Sequence, residues 1–324
     1  MAKRLGYMNV VPKRLSHDDH YAEFESFNSL MSSLNSRLEQ NPLEGRIIAV
    51  NTVIIKVTKE SVIWEDIDID ATNWKAKYKS HAFFFLRIFY EIGTAANELI
   101  GFVDFIPDVM IEERSLRSPI PIYTPFQQAS EWIRQNGQEI RVTNMQTLPY
   151  LRGRDNSRVS TRASLVYTMA GAEMSDTYFL RVAYVRPIHD ILMNAVVPYV
   201  TFKTFVPSYI RFDFSTGAVF ETMDEVMYRA RVWINATGAK ILFAETAGPV
   251  EEKVAYEKTT DSRLSPHRSP TCSGGSDRKS IYYVLLYLDG YYPEPPPHVL
   301  PPLPSNVPEP NEMVEEEDDC CIIM

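Results

Sequence analysis

Hydrophobic and polar positions follow the same succession three times along the chain. Three short alternating segments each close on a proline: Tyr7-Met8-Asn9-Val10-Val11-Pro12, Phe102-Val103-Asp104-Phe105-Ile106-Pro107 and Phe202-Lys203-Thr204-Phe205-Val206-Pro207. Such alternation predicts half-buried strands. An apolar stripe at helical spacing follows each one. Phe24, Phe27, Leu30, Met31, Leu34 and Leu38 form the first, with Ser16, Asp18 and Asp19 as its expected start. Phe126, Ala129, Trp132 and Ile133 form the second behind Thr124-Pro125, and Phe220, Met223, Met227, Ala230, Trp233 and Ile234 the third. Residues spaced by three and four share one helix face, and a helix so patterned buries that face. Gly45, Gly137 and Gly238 stand where the stripes end, as glycine does after helices.

Each helix is followed by an apolar strand carrying a polar–Thr pair, Asn51-Thr52, Gln146-Thr147 and Glu245-Thr246. A closing strand comes last: Leu86-Arg87-Ile88-Phe89-Tyr90, Leu180-Arg181-Val182-Ala183-Tyr184, and the looser Val284-Leu285-Leu286-Tyr287-Leu288. Arg87 and Arg181 match, and either pair with carboxylates such as Glu91 or Asp104, the favoured expectation, or face a ligand; Leu286 or a neighbour takes their place in the third copy. The pattern predicts an α+β fold of three tandem strand–helix–strand–strand repeats, forming a mainly antiparallel sheet or open barrel with helices packed on one face. The units are residues 1–95, 96–190 and 191–292, the third with a flexible insert at 258–280. Polar inserts fall between the last two strands of each unit, and the second carries Arg152, Arg154, Arg158 and Arg162. The order of elements resembles the tandem modules of GyrI-like domains, which hold small molecules between two copies; that resemblance implies a pocket between units.

Residues 293–324 are a different kind of sequence. Nine prolines lie in 293–310, and the segment holds eight acids with no Lys or Arg. It is expected to be a disordered tail. Without it, the net charge of -9 falls close to zero, so the body lacks the positive face that nucleic-acid binding needs. Met1–Gly6 has no apolar run of the signal-peptide kind, and three cysteines make no disulfide framework. A cytoplasmic protein is expected.

The sharpest motif closes the sequence. Cys321-Ile322-Ile323-Met324 has the form of a prenylation site, and a terminal Met favours farnesyl. One lipid chain holds a membrane only marginally, so a second contact is expected, and Cys320 is a candidate for palmitoylation. The expected partners are a membrane surface or a prenyl-binding protein, together with a protein partner of unknown kind. Ser265-Pro266 and Ser269-Pro270 fit proline-directed phosphorylation beside Arg263 and Arg268.

Catalytic signatures are missing: the sequence has no Gly-rich phosphate loop, no G-x-S-x-G, no H-E-x-x-H and no C-x-x-C. No cofactor or metal is expected, since His17-Asp18-Asp19-His20 suits a helix start better than a metal site. The favoured function is therefore a prenylated, membrane-peripheral binding or scaffold protein without catalysis. The alternative is a small-molecule binding protein or enzyme with an aromatic pocket between repeats, lined by Tyr90, Trp132, Tyr184, Trp233 and Glu245.

Overall fold

The computed structural model describes residues 4–16, 23–57, 81–107, 123–149, 161–163, 165–167, 178–188, 199–213, 217–251 and 280–302. Among them the fold is mixed α+β, with antiparallel strands throughout. Strands β1 (Leu5–Val10), β2 (Gly45–Val57) and β3 (His81–Ile92) form the first sheet in the order β1-β3-β2. Strands β4 (Glu98–Phe105), β5 (Arg141–Pro149) and β7 (Tyr178–Pro187) form the second in the order β4-β7-β5. The short β6 (Leu165–Tyr167) pairs with β3 of the first sheet. The third sheet runs β11-β12-β8, from β8 (Thr201–Phe205), β11 (Ile241–Glu251) and β12 (Ser280–Leu288). A separate hairpin joins β9 (Tyr209–Asp213) to β10 (Gly217–Phe220).

In each three-stranded sheet the strand that comes last in sequence lies in the middle. Composition explains this: Ala82 to Leu86, Tyr178 to Ala183 and Tyr283 to Leu288 are buried at consecutive positions, and only a strand covered on both faces accommodates such a run. The registers also match. Arg87 lies between Asn9 and Asn51, Arg181 between Asp104 and Gln146, and Leu285 between Thr204 and Glu245. Each sheet has an irregularity just after the residue opposite Tyr90, Tyr184 or Leu288, where an extra residue lets a strand bend.

The helices are α1 (Phe27–Gln40), α2 (Tyr123–Asn136) and α3 (Met223–Thr237). Helix α1 starts later than the sequence pattern suggests. Its N-cap is Ser26, whose Oγ accepts from the Ser29 N–H, while Phe24 sits in a β-bridge with Arg14. Helix α3 has a full capping box between Thr222 and Glu225 and ends at Gly238 with φ of 67°, a conformation that favours glycine.

Helices α1 and α2 are each shared between two sheets. Leu30, Met31, Leu34 and Leu38 of α1 join Val10, Val50, Leu86 and Ile88 of the first sheet, and also Ile100, Phe102, Ala183 and Val185 of the second. Phe126, Ala129 and Ile133 of α2 pack with Met145, Leu180 and Val182 of the second sheet and with Val200, Tyr283, Leu285 and Tyr287 of the third. Val226, Ala230 and Trp233 of α3 pack on Phe205, Val284, Leu286 and Leu288. The strands are thus divided among separate sheets rather than joined in one, because the helix stripes are wide enough to bury two sides.

Of the segment expected to be a loose tail from Pro293, residues 293–302 are described, and they pack on the third sheet and α3. Glu294 accepts from Trp233 Nε1 at 3.0 Å and pairs with Lys203, and Leu300 packs against the third core cluster. Among the described residues no helix is long and apolar enough to cross a membrane.

Candidate functional site

The polar–Thr pairs meet where one sheet abuts the next. Between the first and second sheets, the Thr52 N–H donates to Gln146 Oε1 at 2.7 Å, and Gln146 Nε2 donates to the Thr52 carbonyl at 3.3 Å. Asn144 Nδ2 donates to Asn51 Oδ1 at 2.6 Å. Towards the start of both strands, Arg141 Nη2 reaches both the Ile47 carbonyl and Glu98 Oε1, at 2.7 and 2.6 Å, and the Ile47 N–H donates to Glu98 Oε2.

Between the second and third sheets the same kind of contact recurs with a carboxylate. The Thr147 N–H donates to both oxygens of Glu245 at 3.0 Å, its hydroxyl donates to Oε1 at 2.7 Å, and the Tyr287 hydroxyl donates to the same oxygen at 2.7 Å. Gln146 and Glu245 occupy matched registers, as do Thr52 and Thr147. Burial of the Glu245 carboxyl raises its pKa above the usual carboxylate value, against the lowering effect of its donors. Burial and the neighbouring Glu245 carboxylate push Tyr287 well above the ordinary phenol value, and the same two causes raise Tyr283. With every donor converging on one side chain, the group closes a junction and presents no base to solvent.

Arg181 is the charged centre of the first junction. It is 2% exposed and holds Asp104 through two bonds of 2.7 and 2.9 Å. It also donates to Thr52 Oγ1 at 3.0 Å and to the Thr161 carbonyl at 2.8 Å. Its guanidinium faces the rings of Phe102 and Phe27 at 4.3 and 5.1 Å. Arg162 lies 3.4 Å from the same aspartate, and burial lowers its pKa from the usual arginine value. The pairing of Arg181 with Asp104 follows the sequence expectation. Arg87 Nε donates to Asn9 Oδ1 at 2.9 Å, and Leu285 holds the matched place in the third sheet.

The five residues expected to line one pocket do not converge. Tyr184 and Trp132 do meet, with ring centroids 5.3 Å apart. Trp233 is buried against Phe205 under α3, and Glu245 closes the second junction. The cavity left at that junction, beside Phe126, Phe202, Thr204 and Tyr287, is about 10 Å³, at or below what one water requires. Thr204 Oγ1 beside it has no hydrogen-bond partner.

Tyr90 stands apart, in an open groove of about 510 Å³ between α1 and the first sheet, with Met8, Arg37, Leu38, Pro42 and Ile92. Tyr90 and Tyr184 are matched residues, each lying over a glycine of the neighbouring strand: a Cβ at Gly6 would come within 2.5 Å of the Tyr90 ring, and one at Gly101 within 2.3 Å of the Tyr184 ring. Trp132 of α2 packs on Tyr184, whereas Arg37 of α1 lines the groove beside Tyr90. The sequence marked Tyr90 by the likeness of its strand to that of Tyr184, but not the groove, which needs α1 placed beside it.

Cys320, Cys321, Ser265, Ser269, Cys272 and the segment His17-Asp18-Asp19-His20 lie outside the described residues, as do the 258–280 insert and the tail beyond Pro302. Compared with protein-family models, with curated proteins and with solved structures, the chain matches none.

Proposed function

We propose that the chain is a binding and scaffold protein without catalysis, built from three tandem strand–helix–strand–strand units and acting at a membrane face through a lipid on Cys321. The repeat is supported by the common strand order, by the matched registers of Arg87, Arg181 and Leu285, and by the irregularity at the same place in each sheet. The single observation behind the scaffold reading is the fate of Gln146 and Glu245. Both bond the backbone of the preceding unit's strand, so the polar positions that would face a ligand between repeats are consumed in joining the repeats. A junction whose recurring polar side chains are bonded across it, and whose cavity is no larger than one water, holds shape and leaves binding to its outer surfaces.

The lipid requires a free carboxylate at Met324 and an accessible cysteine four positions from the end. The intact mass of the chain from a eukaryotic host tests it. Loss of residues 322–324 with a prenyl group on Cys321 is expected, and Cys321→Ser abolishes the change. An unmodified Cys321 removes the tether from the proposal and leaves the scaffold.

A second reading rests on the Tyr90 groove. Its volume lies in the range of small-molecule sites, and its chemistry, a tyrosine with one cation, Arg37, and one anion, Glu44, suits a planar aromatic amino acid. Calorimetric titration with a panel of such amino acids tests it. Heat of binding lost in Tyr90→Ala supports the groove, and no heat from any of them at about 1 mM excludes it.

A further inference from the structure

Both internal junctions set a helix of one unit on the first strand of the next, and the first sheet and the last helix carry the two halves of that contact that remain exposed. In the first, Phe27 of α1 stands edge-on to Phe102 of the next sheet at 5.8 Å. Asn35 bonds both backbone groups of Ile100, its Nδ2 donating to the carbonyl and its Oδ1 accepting from the N–H, each at 2.9 Å. In the second, Phe126 of α2 meets Phe202 at 4.5 Å, and Ser130 Oγ donates to the Val200 carbonyl at 2.9 Å. Ile100 and Val200 are matched positions, four residues before Asp104 and Thr204, and Phe102 and Phe202 stand two residues before them. A helix of one unit therefore lies on the first strand of the next, with an aromatic contact and a backbone hydrogen bond at matched places on the strand, while the two helix residues are eight apart in α1 and four apart in α2.

Counted back from Asn9, the same positions in the first sheet are Leu5 and Tyr7. They are 67% and 56% exposed, where Ile100 and Phe102 are 3% and 7% exposed. Counted back from Gly238 as Phe126 and Ser130 are from Gly137, the positions on α3 are Met227 and Arg231. Met227 is 38% exposed and Met223, one turn earlier, 42%, where Phe126 is 7% exposed. Arg231, also exposed, is a donor like Ser130. Among the described residues, the first sheet thus presents a face that no helix covers, and α3 a flank that no sheet covers.

We propose that copies of this chain associate head to tail, with α3 of one copy lying on the Leu5–Tyr7 face of the first sheet of the next. Met227 takes the place of Phe126 against Tyr7, and Arg231 donates to backbone at Leu5 as Ser130 does at Val200. The contact is heterologous, so the assembly extends into short open chains unless its rotation closes a ring. It rests on the repeat reading above and adds the partner that the outer faces select.

Sedimentation velocity of the full chain from a bacterial host, where Cys321 carries no lipid, tests it between about 1 and 100 μM, the range of transient interfaces. The wild type is expected to form dimers and larger species with concentration. Tyr7→Asp and Met227→Asp are each expected to weaken association by at least about tenfold, as a charge placed in an apolar contact does. An equimolar mixture of the two variants is expected to give dimers and nothing larger, since each variant retains one intact end. Circular dichroism checks that both fold, and Leu5→Lys and Met223→Lys replace either one that does not. A wild type that stays monomeric at about 100 μM overturns the proposal. So does a mixture that remains monomeric while the wild type associates. Coupling between Phe126 and Phe202 within a monomeric wild type would leave the repeat reading intact and remove the association alone.

Discussion

Replacing Arg181 with Met removes the cation from the first junction while keeping most of the side chain's length and its contact with the Phe27, Phe102 and Phe179 rings. Asp104 is left 4% exposed at its side chain, with Arg162 at 3.4 Å as its remaining cation. Removing one partner of a buried ion pair costs about 3–5 kcal/mol, chiefly because the other charge is stranded. Arg162 keeps Asp104 partly paired, so the lower value, about 3 kcal/mol, is expected. With a urea dependence of about 3 kcal/mol per M, the unfolding midpoint falls by about 1 M. Replacing both partners, Arg181→Met with Asp104→Leu, is expected to recover part of that loss, because the buried carboxylate is gone and only the part-buried Arg162 keeps a charge there. Arg134→Met provides the comparison. It breaks an exposed pair with Glu131 and is expected to leave the midpoint nearly unchanged. Equilibrium urea unfolding followed by fluorescence measures all three. A midpoint shift under about 0.3 M for Arg181→Met, or a double variant no more stable than the single one, would refute the argument.

Glu245→Gln places in the second junction the side chain that Gln146 supplies in the first. Glu245 has a raised folded-state pKa, so the folded state holds its proton more tightly, and wild-type stability falls as pH rises from about 4.3 toward that value. The Gln variant is expected to lack this slope, and parallel stability curves for the two proteins would contradict it. Asn35→Ala strips both bonds from the backbone of Ile100 and is expected to cost about 2 kcal/mol or more, measured by the same unfolding assay. Gly101→Ala puts a Cβ 2.3 Å from the Tyr184 ring and is expected to cost about 1–3 kcal/mol. Gly93→Ala, with nothing within 4 Å, is expected to be near neutral in thermal unfolding.

The periodicities in the sequence correspond to real elements. The strands before Pro12, Pro107 and Pro207 and the stripes of α1, α2 and α3 all form, because each pattern is a local property of a segment that buries one face. Three features depended on contacts distant in sequence. The start of α1 moved because Glu25 accepts from the Lys13 N–H and from Ser29 Oγ, pinning the chain before the helix in a way no spacing reveals. The sharing of α1 and α2 between sheets was encoded in stripes that also include Asn35 and Ser130, polar residues that read as exposed until the backbone of Ile100 and Val200 is placed beside them. The polar–Thr pairs were visible as a repeated motif, yet their side chains cross to the neighbouring unit. Recurrence alone does not distinguish a shared pocket from a shared joint. Glu245 was the residue most open to a functional reading, and its three donors, two from Thr147 and one from Tyr287, are what define it as a joint.

The most direct test of packed, ligand-free junctions is a double-mutant cycle on Phe126 and Phe202, which belong to different units and meet where the repeat pattern suggested a pocket. Edge-on aromatic pairs contribute about 0.5–1.5 kcal/mol beyond their buried area. The coupling measured from Phe126→Ala, Phe202→Ala and the double variant in urea unfolding is expected to fall in that range. Additivity within about 0.3 kcal/mol would mean that the rings do not pack on each other, and that the junction is open.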